Sequence, residues 1–116
     1  MHEEIVKLFD LSGKVALITG GARNLGLDAA SVLAAAGCRV ALTSREIAAA
    51  EEAAARLGQT YGVETLPLAL DQTDAAHVEE AVRLTVSRFG RIDILVNRRA
   101  LEPFMFRANS SAARRT

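Results

Sequence analysis

The residues in this chain best suited to chemistry lie between 19 and 26, which read Thr19-Gly20-Gly21-Ala22-Arg23-Asn24-Leu25-Gly26. Two successive glycines remove the Cβ atoms that would hold a ligand away from the backbone. A helix starting just behind them, near Leu25, aims unpaired N–H groups and the positive end of its dipole at the same gap, where a diphosphate fits. Gly26, on the first helical turn, has no side chain to obstruct such a ligand or to separate helix from sheet. Alone, a glycine-rich turn is weak evidence, because tight turns call for glycine on steric grounds. Its meaning depends on the elements on either side.

Those elements read as short β-branched runs alternating with helical patterns. Lys14 to Thr19 is an apolar run without in/out alternation, as expected of a strand covered on both faces of a parallel sheet. From Asn24 to Ala36, residues Leu25, Ala29, Val32, Leu33 and Ala36 fall at helical spacing, and Gly37 supplies the stop. Arg39 to Thr43 is a second strand, followed by a helix to about Leu57 with Ile47, Ala50, Ala54 and Leu57 inward and Gly58 ending it. Glu64 to Leu70 is a third strand, with Pro67 suited to an edge. A third helix runs from Thr73 or Asp74 to Phe89 on Val78, Ala81, Val82, Thr85 and Phe89, and Gly90 breaks it before a fourth strand, Ile92 to Val96.

Short connections and right-handed crossovers convert this β-α-β-α-β-α-β order into an α/β fold, a Rossmann-like parallel sheet ordered 3-2-1-4. The glycine turn then lies beside the topological switch point. Residues 1–97 form this domain, and 98–116, which show no periodicity, form an irregular tail. Its basic residues read as a solvated end rather than a nucleic-acid arm.

Composition narrows the partners. The 116 residues are 50% apolar and carry 14 basic and 14 acidic side chains, enough for one small domain with a core and no net field to attract nucleic acid or an acidic membrane. Four Phe, one Tyr and no Trp do not make a stacking surface for bases. A single cysteine, Cys38, and two scattered histidines, His2 and His77, offer neither an internal disulfide nor metal-ligand spacing, so no metal is expected and a reducing cytoplasm is the default. The amino terminus lacks the apolar run of a signal peptide, and no stretch approaches the ~20 apolar residues of a membrane span. Cys38 reads as a small buried filler and His77 as a solvated residue, while Glu79 and Arg83 form an i,i+4 pair.

In its ordered landmarks the sequence resembles the short-chain dehydrogenase/reductase family of NAD(P)-dependent oxidoreductases. Leu11 to Gly21 is similar to that family's lead into its first strand, and Thr19 to Gly26 to its Thr-Gly-x-x-x-Gly-x-Gly turn, with Asn24 in place of the middle glycine. Asparagine tolerates a left-handed backbone better than most residues. Asp71, directly after the third strand, matches the family's acidic residue that accepts from the adenine amino group; capping the next helix is its alternative role. Gly90 to Asn97 is similar to the fourth strand leading to Asn-Asn-Ala-Gly, so the resemblance covers about Leu11 to Asn97. It implies a cofactor-binding set of Thr19, Gly20, Gly21, Arg23, Asn24, Leu25, Gly26, Ser44, Arg45, Asp71, Gln72 and Asn97.

The choice of dinucleotide falls at the end of the second strand, where an NAD enzyme needs a carboxylate for the ribose hydroxyls. Ser44 occupies that position, with Arg45 next and Arg23 in the turn. A guanidinium at either place can grip the 2′-phosphate in a charge-assisted pair worth ~1.5–3 kcal/mol, so NADP is expected. The alternative leaves both arginines as surface cations and gives the ribose of NAD to Glu46.

Hydride transfer in this family depends, by resemblance, on a Tyr, a Lys four residues later, a Ser and a supporting Asn. Tyr61 is the only tyrosine and has Thr65 four residues on, while the only lysines are Lys7 and Lys14. No Ser-His-Asp or Cys-His set replaces them, so no catalytic residue is assigned. From Arg98 the family pattern gives way to Arg98-Arg99-Ala100, which reads as a truncation from a frameshift, an early stop or an internal deletion. The resulting expectations are an oxidoreductase by lineage, inactive alone; a non-catalytic module that binds NADP(H) or docks on a full-length relative through its fourth strand; or a gene remnant. A sheet face left bare beside the third helix would make the domain marginally stable, self-associating or dependent on a partner.

Overall fold

Val15–Thr19 forms β1, the strand around which the other elements are arranged, and each of its five residues is buried. In the computed structural model the described residues are 9–20, 22, 24–71 and 74–97, so Gly21, Arg23, Gln72 and the tail 98–116 lie outside them. The remaining elements are α1 (Asn24–Ala35), β2 (Arg39–Ser44), α2 (Ile47–Tyr61), β3 (Thr65–Ala69), α3 (Ala75–Phe89) and β4 (Ile94–Asn97). All strand pairs are parallel and the order is β3-β2-β1-β4, as the pattern of runs predicts.

Alternate residues of the strands feed two cores, because side chains of a strand point to opposite faces. Ala16, Ile18, Val40 and Leu42 pack with Ala30 and Ala34 of α1 and Ala50, Ala53, Ala54 and Leu57 of α2. On the other face, Val15, Leu17, Ala41 and Leu68 pack with Ala81 and Phe89 of α3 and with Ile92. The exposed large apolar side chains among the described residues are Phe9, Val32, Ile47 and Tyr61. None belongs to the α3 face, where Leu66, Leu70, Val82, Leu84, Val86 and Leu95 are half-buried rather than bare.

Several local expectations shift. The buried stripe of α1 runs through Ala30 and Ala34, and Val32 is 68% exposed, because alanines let the helix lie close to the sheet on that side. Ile47 opens α2 at 44% exposure instead of facing inward. α2 continues through Gly58 to Tyr61 and stops at Gly62, whose φ is +69°. Gly58 instead allows close packing on the chain that follows, since a Cβ there would lie 3.3 Å from the Val63 carbonyl oxygen. β4 begins at Ile94, two residues later than predicted, because Ile92 and Asp93 complete the turn into it. The ion pair on α3 joins Arg83 to Glu80, not to Glu79.

Pro67 sits in the edge strand β3 without costing a ladder bond. The Glu64 carbonyl accepts from Val40 N–H and the Leu70 N–H donates to the Ser44 carbonyl, so even-numbered residues present their main-chain groups to β2. Odd-numbered Pro67 therefore presents its missing N–H to the free edge.

Two contacts fix the approach to β1. Leu11 N–H donates to the Ala36 carbonyl at 2.8 Å, which brings Ser12 against Gly37 at the end of α1. Gly37 has φ +106°, and a Cβ there would lie 2.8 Å from Ser12 Oγ and 3.2 Å from its Cα. At the other side of β1, Asp93 Oδ2 accepts from Val15 N–H at 2.9 Å, while Arg91 binds both carboxylate oxygens. Burial alone would raise the Asp93 carboxyl, but the Arg91 and Val15 hydrogen bonds outweigh it and hold the group below the usual carboxylate range.

Gly37→Ala is expected to lower stability by about 1–3 kcal/mol in urea unfolding. Gly13→Ala should cost less, since Gly13 also has a positive φ but a Cβ there meets nothing within 4 Å. Asp93 sets a pH dependence of definite sign. A carboxyl depressed in the folded state contributes stability that is complete above its unfolded value, near ~3.9, and is lost as pH falls through the folded value. Asp93→Asn should therefore be less stable than the parent at pH 7, with the gap closing below about pH 4 in urea titrations.

Candidate functional site

All four strands end on one edge of the sheet, and hydrogen bonds join their tips in sequence. β1 is the branch point: the chain leaves it for α1 and α2 on one face, while α3 on the other face returns it to β4 on the far side of β1. The crevice at such a switch point is where open α/β sheets take ligands. Thr19 and Asn97 are register partners across it, and the Thr19 hydroxyl donates to Asn97 Oδ1 at 3.0 Å. On the other side of β1, the Gly20 N–H donates to Thr43 Oγ1 at 3.0 Å. One strand further, the Ser44 carbonyl accepts from Leu70 N–H at 2.9 Å and so draws the residue before Asp71 to the tip of β2.

Of the predicted phosphate turn, the described part has the expected form. Gly20 has φ +70°, a left-handed conformation that glycine adopts without Cβ strain. α1 starts at Asn24, so this residue takes a helical backbone and the turn asks no left-handed conformation of it. That explains in steric terms why an asparagine can stand at this position. Leu25 follows in the helix, and Gly26 is buried in its first turn. No acidic residue occupies that turn, so the positive end of the helix dipole meets no carboxylate from its own first residues. The Gly20 N–H is committed to Thr43 Oγ1.

At the tip of β2, Ser44 is half-buried, its Oγ accepting from Glu46 N–H at 3.3 Å, while Arg45 and Glu46 are exposed. Glu46 also stands at the N-cap position of α2. Asp71 is placed by its own backbone, whose N–H donates to His77 Nδ1 at 3.0 Å and whose carbonyl accepts from Asp74 N–H at 3.1 Å. His77 is thus bonded to the Asp71 backbone while its side chain stays 46% exposed, so it is solvated as expected and also holds Asp71. The N-cap of α3 is Asp74, whose side chain accepts from Ala76 N–H at 2.9 Å, so the capping role considered for Asp71 falls to Asp74. Among the proposed residues, Thr19, Gly20, Asn24, Leu25, Gly26, Ser44, Arg45, Asp71 and Asn97 come together on or beside this edge. Thr43, which sequence reasoning missed, joins them; its only signal is a hydroxyl directly after the apolar run Val40–Leu42.

Groups elsewhere do not add chemistry to the edge. Tyr61 ends α2 and Lys14 precedes β1, which puts both at the opposite edge of the sheet. Cys38 is buried, and burial, with a smaller contribution from Asp93, pushes its thiol up and keeps it protonated. Among the described residues no cluster of metal-ligating side chains occurs, and no helix is long and apolar enough to cross a membrane.

Comparison with known proteins agrees with this geometry. The family described as short chain dehydrogenase matches residues 14–114. D-threitol dehydrogenase of Mycolicibacterium smegmatis is 45% identical over 89 residues, covering 77% of this chain and 34% of that protein. Among solved structures, L-sorbose reductase from Gluconobacter frateurii, complexed with NADPH and L-sorbose, superposes with a TM-score of 0.75 at 35% identity over 84% of this chain and 37% of that one. An alcohol dehydrogenase from Thermococcus sibiricus complexed with 5-hydroxy-NADP gives 0.66 at 39% identity, over 71% of this chain and 35% of that one. The chain spans about a third of the length of the curated relatives it matches.

The Thr19–Asn97 bond predicts coupled losses. Thr19→Val and Asn97→Ala should each cost about 0.5–1.5 kcal/mol in urea unfolding, and the double variant should lose less than the sum of the two. Strict additivity would show that the two side chains do not act through one another.

Proposed function

The chain belongs to the short-chain dehydrogenase/reductase family, and on that premise we propose that it binds NADP(H), in preference to NAD(H), along the edge where its strands end. The observation that carries this reading is the tip of β2. An NAD site calls for a carboxylate there, and this chain has Ser44 followed by exposed Arg45. The NADPH and 5-hydroxy-NADP complexes of the two superposed enzymes support the same choice.

In this reading the diphosphate takes main-chain N–H groups of the turn from Gly21 to Leu25 and the dipole of α1. Arg45, with Arg23, holds the 2′-phosphate. Asp71, with Gln72 beside it, accepts from the adenine amino group, and the Thr19–Asn97 bond keeps the strand ends at the spacing the dinucleotide spans. Gly26 lets helix and cofactor approach each other. A bound nicotinamide supplies the hydride chemistry. The proposed dinucleotide-binding domain is residues 1–97.

In this reading the 116 residues grip and orient a dinucleotide but hold no Tyr-x-x-x-Lys pair. A tyrosine with a pKa near ~10 needs a nearby cation to exchange protons at neutral pH. By themselves, therefore, these residues bind without turnover. The lone cysteine, buried as a free thiol, fits a cytoplasmic setting. A second reading makes the chain a docking module that pairs through β4 with a full-length relative.

Titration of the purified chain should show saturable NADPH binding with no oxidation of NADPH by sugar or steroid ketones. Arg45→Glu should weaken NADPH roughly 10- to 100-fold and leave NADH within a few-fold, the range expected for one charge-assisted pair. Absence of saturable binding to either reduced dinucleotide would overturn the proposal, and an unchanged preference in the variant would remove Arg45 from it.

A further inference from the structure

The first main-chain donor beyond β1 is the Gly20 N–H, and it goes to a side chain rather than to the neighbouring backbone. Its acceptor is Thr43 Oγ1 at 3.0 Å. Thr43 is 1% exposed and lies one register step past the last β1–β2 partners, Ile18 and Leu42. As β1 gives way to a turn with Gly20 at φ +70°, the ladder between the two strands ends, and the hydroxyl supplies the acceptor that the ladder no longer does. Among the described residues this is the one hydrogen bond of the Thr43 side chain.

The position of this bond gives it a functional meaning. Thr43 directly precedes Ser44 and Arg45, and Gly20 directly precedes the segment that turns into α1. In a dinucleotide phosphate, the 5′-diphosphate and the 2′-phosphate are attached to the same ribose, so their separation is covalently limited. A site that holds both must keep its two gripping segments at a matching distance before the ligand arrives, or spend binding energy on ordering them.

We propose that Thr43 is a positioning residue for the dinucleotide site: its hydroxyl ties the start of the phosphate turn to the tip of β2 and sets the spacing between the diphosphate and 2′-phosphate subsites. The inference rests on the dinucleotide reading above. Thr43 itself touches no ligand; it acts through Gly20 and Arg45.

Four proteins test it: the parent, Thr43→Ser, Thr43→Val and Thr43→Ala. Within each of the pairs Thr/Val and Ser/Ala, shape is nearly constant and the hydroxyl is present or absent. NADPH titrations should place Thr43→Ser within twofold of the parent and both apolar variants roughly tenfold weaker, about 1.4 kcal/mol. Hydrogen exchange at the Gly20 amide should accelerate in the apolar variants alone. Adenosine 2′-monophosphate, which has no 5′-diphosphate to place in the turn, should bind all four alike. Equal NADPH affinity in all four proteins overturns the inference while leaving the dinucleotide reading intact. Failure of the parent to bind NADPH overturns both. If the apolar variants do not fold while Thr43→Ser does, Thr43 supports the fold rather than the spacing of the site, and the inference is equally overturned.

Discussion

Everything in this domain depends on β1 being covered on both faces and flanked on both edges. A strand in that position can carry no unpaired polar group, because a buried donor or acceptor without a partner costs as much as a lost hydrogen bond. Val15, Ala16, Leu17 and Ile18 meet the requirement by being apolar. Thr19 meets it by giving its hydroxyl hydrogen to Asn97 of β4. The same residue that closes the core therefore fastens the sheet at its branch point, and packing and site geometry are one constraint there.

The two edges of the sheet are held by different forces. At the edge where β1 begins, a charged group joins the main-chain hydrogen bonds: Asp93 accepts from Arg91 and from the Val15 N–H, and its own N–H donates to the Val15 carbonyl. At the edge where the strands end, the bonds described are all between neutral groups, Thr19 to Asn97, Gly20 to Thr43 and Leu70 to Ser44. Neutral partners leave the positive end of α1 uncompensated by its own first turn, which suits a site for an anionic ligand. A carboxylate fastening of the Asp93 kind at this edge would oppose the same ligand.

Strand and helix order, parallel topology and the place of the switch point were legible in the residues, because apolar runs covered on both faces and glycine stops carry that information locally. What was not legible depended on distance in space. The exposure of Val32 follows from how closely the alanines of α1 approach the sheet, which no helical spacing reveals. Gly58 looked like a stop and is a packing contact, while Gly62 performs the stop four residues on. At the site, the residue types of the turn and of the β2 tip announced phosphate chemistry. Thr43 did not, since a hydroxyl in a strand has many uses and its partner lies 23 residues away. His77 is solvated as its position implies, but its bond to Asp71, six residues earlier, was not legible, because nothing in the helical spacing shows that a ring nitrogen meets that backbone N–H.

Pro67 gives the sheet a direction of growth. It lies at the middle of β3 with its nitrogen toward the free edge, so a strand approaching from that side finds no central donor to pair with. Edge-to-edge pairing through β3 is thereby weakened by a single ring closure in the backbone. The opposite margin, at β4, carries no such block among its four residues.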